Sequence, residues 1–552
     1  MDAFDDALAA AGGVARRGLV EGWAVAALIR AGVRGGPPRR MAKAIRALSE
    51  LGQIGAAVTV AALRSGESVG LIDELGSLTF AELEERSDAL ACALRDRGLG
   101  EQDGIGILCR NHRGFIDITF AAAKLGARLL YLNTDFAAPQ LADVCEREAV
   151  TMLVHDEEFG PLVAGVAPAH GTLLAWHDGP VEQPTLDQLI ASSAGRRPPR
   201  PGRQCRVILL TSGTTGTPKG APRSSSRSLA PIGALLSRVP FRVGEATVIA
   251  SPLFHAHGYS QMIIACVLGS TIVVRRRFSP EKVLADVRER RATALVLVPV
   301  MLRRIVTLIE QSPEGHDTSS LRIVLVSGSQ LEPDLIARAR ATIGEKLYNF
   351  YGSTEVAYAS FATPEDLAVA PGCVGRAPFG TRIRLYDEDG APVRDASRVG
   401  RIFVGNTFQF EGYTGGGGKE VIDGLMSTGD VGHLDGSGRL FVDGRDDEMI
   451  VSGGENLFPS EVEELLASHP AIEEVAVIGV EDEEFGMRLA AFVVVRPGLE
   501  LTDEQVREFV RANLARFKVP RDITLIEELP RNPAGKVLKR RLRELHAAQR
   551  PL

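Results

Sequence analysis

Thr211-Ser212-Gly213-Thr214-Thr215-Gly216-Thr217-Pro218-Lys219-Gly220 follows directly on the apolar run Val207-Ile208-Leu209-Leu210. That order reads as a buried strand emptying into a polar loop. Glycine lets successive backbone N–H groups turn toward one anion, hydroxyls donate hydrogen bonds, and Lys219 adds a point charge. Such a loop suits a polyphosphate. It is not a Walker A loop, in which Gly directly precedes Lys and Ser or Thr directly follows. Here Pro218 precedes Lys219 and Gly220 follows it. By composition alone the stretch reads equally as a Ser/Thr/Gly linker, so the surrounding chain decides between the two.

A chain of 552 residues is too long for one core and implies about three to four domain-sized units. The net charge of −7 argues against nucleic acid as a partner, because such domains are usually basic. Six cysteines form no CxxC pair and no zinc-site spacing. Neither a metal cluster nor a disulfide framework is indicated, and a reducing cytoplasm fits. The N-terminus opens acidic with Asp2, Asp5 and Asp6, unlike a signal peptide. No apolar run reaches the ~20 residues that span a bilayer.

Residues 1–64 differ from the rest. Between Val14 and Arg46, Arg16, Arg17, Arg30, Arg34, Arg39, Arg40, Lys43 and Arg46 are set against one acid, Glu21, with Trp23 among them. A basic amphipathic helix can lie on an anionic membrane surface. The plainer reading packs it on the body with its arginines in water. Peripheral contact at the inner membrane face through residues 14–64 is therefore left open.

Residues 65–200 read as a first α/β unit. It has a helix capped by Thr79 and Glu82, strands over 105–109 and 151–154, and a linker over 194–202. From 205 to about 350 the apolar runs at 248–250, 271–274, 294–298 and 323–326 alternate with helical patterns over 280–291 and 332–343. This rhythm predicts a largely parallel sheet covered on both faces. Short strands and Gly-rich turns over 373–444 predict a small β unit. Beyond Arg445, helices over 459–468 and 502–516, strands over 475–480 and 489–495, and a basic tail predict a compact α+β domain. The fold class is thus α/β: a large N-terminal domain of stacked α/β subdomains plus a small β unit, then a small α+β C-terminal domain.

The signature loop resembles that of the adenylate-forming superfamily of acyl-CoA synthetases, luciferases and peptide-synthetase adenylation domains. Five further segments match in the same order, over about residues 65–545. Ser251-Pro252-Leu253-Phe254-His255-Ala256-His257-Gly258 carries the aromatic–His pair beside the acyl group, where His255 orients the carboxylate or gates the acyl tunnel. His257 matches no fixed position of the family. In Tyr348-Asn349-Phe350-Tyr351-Gly352-Ser353-Thr354-Glu355, the resemblance puts Tyr351 on adenine, Thr354 on phosphate and Glu355 on Mg²⁺. Asn349 and Gly352 fall within the nucleotide site. Ser327-Gly328-Ser329-Gln330-Leu331 takes the place of the adenine-flanking segment, with Ser329 at the nucleotide. It departs from the Gly or Ala usual where Ser329 and Gln330 stand.

In Ser427-Thr428-Gly429-Asp430, the resemblance gives Asp430 to the ribose hydroxyls, assisted by Arg445. Asp447 falls at the hinge between a large domain over 65–446 and a small mobile domain over 447–552. Gly453, Gly454 and Glu455 fall on the CoA side of the second half-reaction. Lys536, in Pro530-Arg531-Asn532-Pro533-Ala534-Gly535-Lys536, matches the lysine that catalyses adenylation. Thr211, Ser212, Gly213, Thr214, Thr215, Gly216 and Lys219 would hold the β- and γ-phosphates. The segment over 229–241 is expected to flank the acyl chain.

The resemblance therefore implies an ATP- and Mg²⁺-dependent ligase, most like medium/long-chain fatty-acid–CoA ligases. It would form acyl-AMP from a fatty acid, transfer the acyl group to CoA, and release AMP and pyrophosphate in the cytoplasm. Within the superfamily, the acceptor could instead be a carrier protein. Two other classes compete. Gly66-Glu67-Ser68-Val69-Gly70 fits the G-x-S-x-G pattern of a serine hydrolase, although that elbow needs a strand before it and a helix after. A catalytically dead, lipid-binding scaffold is the third, opposed by suitable residues at every expected position.

Overall fold

The computed structural model describes residues 13–549 except 212–218, 225–227, 396–397, 409, 447–449, 453–454, 458, 483–485, 515–517 and 534. The large N-terminal domain is built on two sheets. One has six strands in the order Thr172–Trp176, Met152–Asp156, Gly104–Leu108, Arg128–Tyr131, β1 (Arg206–Thr211) and β2 (Lys219–Ser224). Its pairs are parallel until the last, where β1 and β2 run antiparallel with Thr211 opposite Lys219. In the other sheet, β3 (Ala246–Ile249), β4 (Ala294–Leu297), β5 (Ile323–Val326) and β6 (Leu347–Tyr351) lie side by side, all parallel. Ser360–Ala362 closes the edge beside β6, while Thr271–Val273, Val69–Asp73 and Gly76–Thr79 continue beyond β3.

This arrangement corrects the expected division at about residue 200. Val69–Asp73 leaves its sequence neighbours and pairs with Thr271–Val273, Leu71 lying opposite Ile272. In return β1 joins the first sheet, with Val207 opposite Leu129. Strand partners are chosen by long-range packing, which local pattern does not report. Local signals did hold. Helix Phe80–Asp96 starts where Thr79 Oγ1 accepts from the Glu82 amide at 3.1 Å and the Glu82 carboxylate accepts from the Thr79 amide at 2.7 Å.

α1 (Gly13–Arg30) buries Val20, Ala24, Ala27 and Leu28, and its Trp23 stacks on Phe379 with ring centroids 4.2 Å apart. The aromatic residue of the basic segment thus packs, half-buried, against the body of the protein. α2 (Pro38–Ser65) is broken at Gly52; Ile54, Ala57, Val58 and Ala61 beyond the break join the main core, while Met41 and Ile45 before it are exposed. No helix among the described residues is long and apolar enough to cross a membrane.

α3 (Ala230–Arg238) and α4 (Ala256–Leu268) lie beside the second sheet, and α5 (Pro299–Gln311) follows β4. Residues of both sheets share one core, Ile107 and Val207 from the first meeting Leu71 and Ile249 from the second. A third, antiparallel sheet contains Arg382–Tyr386, Gly400–Gly405, Val421–Ile422, β7 (Leu425–Leu434) and β8 (Leu440–Arg445).

The small C-terminal domain sets α6 (Pro459–Ala467) and helix Asp503–Asn513 on one face of a three-stranded sheet. That sheet contains β9 (Ile472–Asp482), β10 (Gly486–Val495) and Asp522–Leu525. The expected basic tail is instead a helix, α7 (Lys539–Gln549). Its Leu542 is buried with Ile478, Phe492 and Leu529 on the other face, and Arg540, Arg541 and Arg543 point to water. The dense charge hid the apolar period.

The start of α4 is held against the loop after β3. Asn111 Nδ2 donates to the Ser251 carbonyl at 2.9 Å, and its Oδ1 accepts from the Leu253 amide at 2.8 Å. A Cβ on Gly258 would stand 2.3 Å from the Pro252 carbonyl oxygen, a contact only glycine permits. Gly258→Ala should therefore destabilise by about 2–4 kcal/mol. Thermal unfolding should show a fall of about 5 °C or more.

Candidate active site

The site opens at the carboxyl ends of β3–β6, where α/β sheets present their ligand crevices. Tyr351 ends β6, and its hydroxyl donates to Asp430 Oδ2 at 2.5 Å. Asp430 on β7 is paired in register with Arg445 on β8, and Arg445 Nη1 donates to Asp430 Oδ1 at 3.2 Å. Burial pushes the Asp430 carboxyl up, and Arg445, the Tyr351 hydroxyl and Lys536 pull it back. Burial also raises the Tyr351 phenol well above its usual range, so it stays a donor. The expected adenine, ribose and lysine residues converge on one carboxylate.

Lys536 comes from the small domain. Its amide donates to Asn532 Oδ1 at 2.8 Å, and the Gly535 amide donates to the Asn532 carbonyl at 2.8 Å. Gly535 has φ +77°, and a Cβ there would stand 2.6 Å from Val300 Cγ1 and 3.2 Å from Val298 Cγ2. These valines lie at the junction of β4 and α5, so the turn is docked on the large domain. Arg531 donates to the Gly535 carbonyl at 2.6 Å and pairs with Glu474 at 3.1 Å. On the large-domain side Arg303 bonds Glu332, and it lies 3.9 Å from Glu474 of the small domain. Gln330 donates to Glu464 at 2.6 Å. Burial, then the neighbouring Asp443, raises the Glu464 carboxyl to about 7 against the pull of Gln330.

Glu355 is buried in the turn after β6 and accepts from the Tyr413 hydroxyl at 2.7 Å. Lys219 Nζ sits 5.2 Å from the centroid of the Tyr413 ring. The next residue, Thr414, donates its amide to the Gly220 carbonyl at 3.0 Å and its hydroxyl to Glu148 at 2.7 Å. Tyr413 therefore joins the end of the signature loop to Glu355, a connection the sequence reading missed.

Thr354 lies in the same turn, Gly352 just after β6, and Asn349 is buried within it. Ser329 is half-buried in the loop after β5. Thr211 ends β1, and Glu455 lies in a short strand whose first residue pairs with Ser452. Ser212, Gly213, Thr214, Thr215, Gly216, Asp447, Gly453 and Gly454 lie outside the described residues.

His255 occupies the residue before α4, against Phe254 at 4.5 Å. Its shielded Nε2 has no partner, and burial lowers its pKa to about 4. His257, left aside in the sequence reading, is buried with both ring nitrogens unpartnered and likewise lowered to about 4. Both rings are neutral near pH 7. Ser68 is exposed, with helix α2 before it and strand Val69–Asp73 after it. That is the reverse of a nucleophile elbow.

Residues 58–414 match the AMP-binding enzyme family, and residues 461–536 match the AMP-binding enzyme C-terminal domain. The indoleacetate–CoA ligase of Aromatoleum aromaticum is 32% identical over 480 residues, covering 85% of this chain and 93% of that protein. A fatty acid–acyl-carrier-protein ligase of Streptomyces coeruleorubidus is 29% identical over 487 residues, covering 85% of this chain and 91% of that one. ATP-bound MatB from Rhodopseudomonas palustris has a similar structure, with a TM-score of 0.80 at 27% identity over 90% of this chain and 99% of that chain. The chain belongs to the AMP-binding enzyme family. Its activity is that of an AMP-forming acid–thiol ligase.

The two depressed histidines couple acidity to stability. Between their usual 6.5 and about 4 the unfolded chain binds more protons than the folded one, so stability rises with pH and is lost on acidification. Each ring contributes on the order of 3 kcal/mol to that loss. Denaturant unfolding at pH 6.5 and 4.5 should show the drop, and His257→Phe should shrink it.

Proposed function

We propose that the protein activates a medium- or long-chain fatty acid as acyl-AMP and passes the acyl group to the thiol of CoA. The observation that carries this reading is the meeting of Tyr351, Asp430 and Arg445 with Lys536 of the other domain. Asp430 accepts from the ribose hydroxyls, as acidic residues of nucleotide folds do. Tyr351 offers its ring face to adenine. The fatty-acyl assignment is supported by the apolar side chains of α3 and α4, and by the fatty-acid ligase among the relatives.

In the first step the carboxylate attacks the α-phosphorus and pyrophosphate leaves. Lys536 supplies a cation where charge builds on the attacking and α-phosphate oxygens. His255, neutral and unpartnered at Nε2, orients the carboxylate by one hydrogen bond. Thr354 and the residues of 211–219 hold the phosphates that depart. Glu355 would hold Mg²⁺, a single carboxylate beside substrate phosphates being that ion's usual site. Bound there, Mg²⁺ supplies neutralising charge to the triphosphate. In the second step the small domain rotates about Asp447, Lys536 withdraws, and Gly453, Gly454 and Glu455 come to line the path of the thiol. Hinge closure of this kind is an established class of motion.

A carrier-protein thiol is the second reading, favoured by the name of the Streptomyces relative. Pyrophosphate release over acids of graded length, with CoA present or absent, separates the two: thioester should accumulate with CoA alone. Lys536→Ala should cut ATP–pyrophosphate exchange by about a hundredfold or more. Thioester formation from supplied acyl-AMP should stay within a few-fold. Equal loss of both would contradict the assigned role.

A further inference from the structure

Among the described residues, eight buried side-chain nitrogen and oxygen atoms have no hydrogen-bond partner, and five lie between Ser251 and Gln261. They are Ser251 Oγ, His255 Nε2, both ring nitrogens of His257, and Gln261 Oε1. Buried polar groups in native proteins are almost always satisfied, and a cluster of exceptions calls for a ligand or water. The reading above places the carboxylate at His255, and Ser251 is buried in the loop after β3. His257 and Gln261 need another partner.

The two residues are one turn apart at i, i+4, so they stack on one side of α4. That side continues through Ile264 and Leu268, which pack with Ile232 and Leu235 of α3, Leu325 of β5 and Phe350 of β6. An apolar stripe therefore carries two polar side chains, at 7% and 3% exposure. The His257 ring lies 5.9 Å from that of Phe350. The carbonyls of Leu297 and Leu325 stand near enough to favour its charged form, yet outside hydrogen-bond geometry. At ~1.5 Å rise per residue, Gln261 lies about 9 Å farther along the helix than His255. A carboxylate held at His255 does not reach it.

We propose that His257 and Gln261 form a polar subsite of the acyl pocket that takes a hydroxyl group carried on the substrate chain, several ångströms from its carboxylate. The proposal rests on the acyl-activating reading above. A hydroxyl both donates and accepts: its proton goes to Gln261 Oε1, and its lone pair takes the N–H of the neutral imidazole. A keto oxygen only accepts and leaves Gln261 unpaired. A charged substituent has no counter-ion among these side chains and would be costly to bury. A plain alkyl chain leaves both groups dry.

The test compares kcat/KM for pyrophosphate release with octanoate against mid-chain hydroxyoctanoates, and with phenylpropanoate against its para-hydroxy form. The better hydroxylated acid of a pair should be preferred on the order of ten- to a hundredfold. Gln261→Met, close in volume, should reduce that ratio to about threefold or less, and so should His257→Phe. Because Gln261 Oε1 has no partner in the fold, Gln261→Met should keep or raise the melting temperature. A drop of several degrees would mean that the amide serves the fold, and would overturn the proposal. Equal use of both members of every pair, or a preference that survives both substitutions, would overturn it and leave the acyl-activating reading standing. No pyrophosphate from any acid would overturn both.

Discussion

Val300 fills the space that a Cβ on Gly535 would need. Because the residue has none, the turn over 532–536 reaches the carboxyl end of β4 and sets Lys536 close enough to Asp430 to act on its carboxyl. A cation from one domain and a carboxylate from the other thus share one crevice. The contacts that cross between the domains are polar and partly wet: Gln330 with Glu464, Arg303 with the Glu473 carbonyl and the Glu474 carboxylate, Asp334 with Arg496. Pairs of this kind contribute about 0–1 kcal/mol each. Contacts of this strength orient the small domain without fastening it, which suits the rotation that the proposed mechanism asks for.

The other wall depends on Tyr413. Its hydroxyl serves Glu355 and its ring faces Lys219, while Thr414 ties the same segment to Gly220 and Glu148. The signature loop is thereby anchored at both ends, by the β1–β2 pairing of Thr211 with Lys219 and by the Tyr413 segment. A loop fixed at its ends and rich in glycine between them suits a clamp for departing phosphates better than a rigid seat for the chemistry.

Much of this was legible in the sequence because it is local. The Thr79–Glu82 cap, the apolar strands and the β unit follow from spacing and turn residues. The motifs led directly to Tyr351, Asp430, Arg445 and Lys536, which the fold brings together. What stayed hidden is what depends on distance in space. Val69–Asp73 crosses to the second sheet, Leu542 turns a basic tail into a packed helix, and Tyr413 carries no signal until Glu355 is beside it. His257 and Gln261 read as ordinary polar residues of a helix. Only burial without partners distinguishes them.

On the proposed mechanism this docking serves adenylation and must be released for thioester formation. Asp334 and Arg496 face each other across the interface at 3.9 Å, and all six native cysteines are buried. Cysteines at these two positions, bridged by a short bis-maleimide, would hold the domains as they stand. Against the same variant capped with N-ethylmaleimide, the bridged protein should form enzyme-bound acyl-AMP at an undiminished rate. Its transfer to CoA should fall by about a hundredfold or more. Transfer at full rate in the bridged protein would contradict the account.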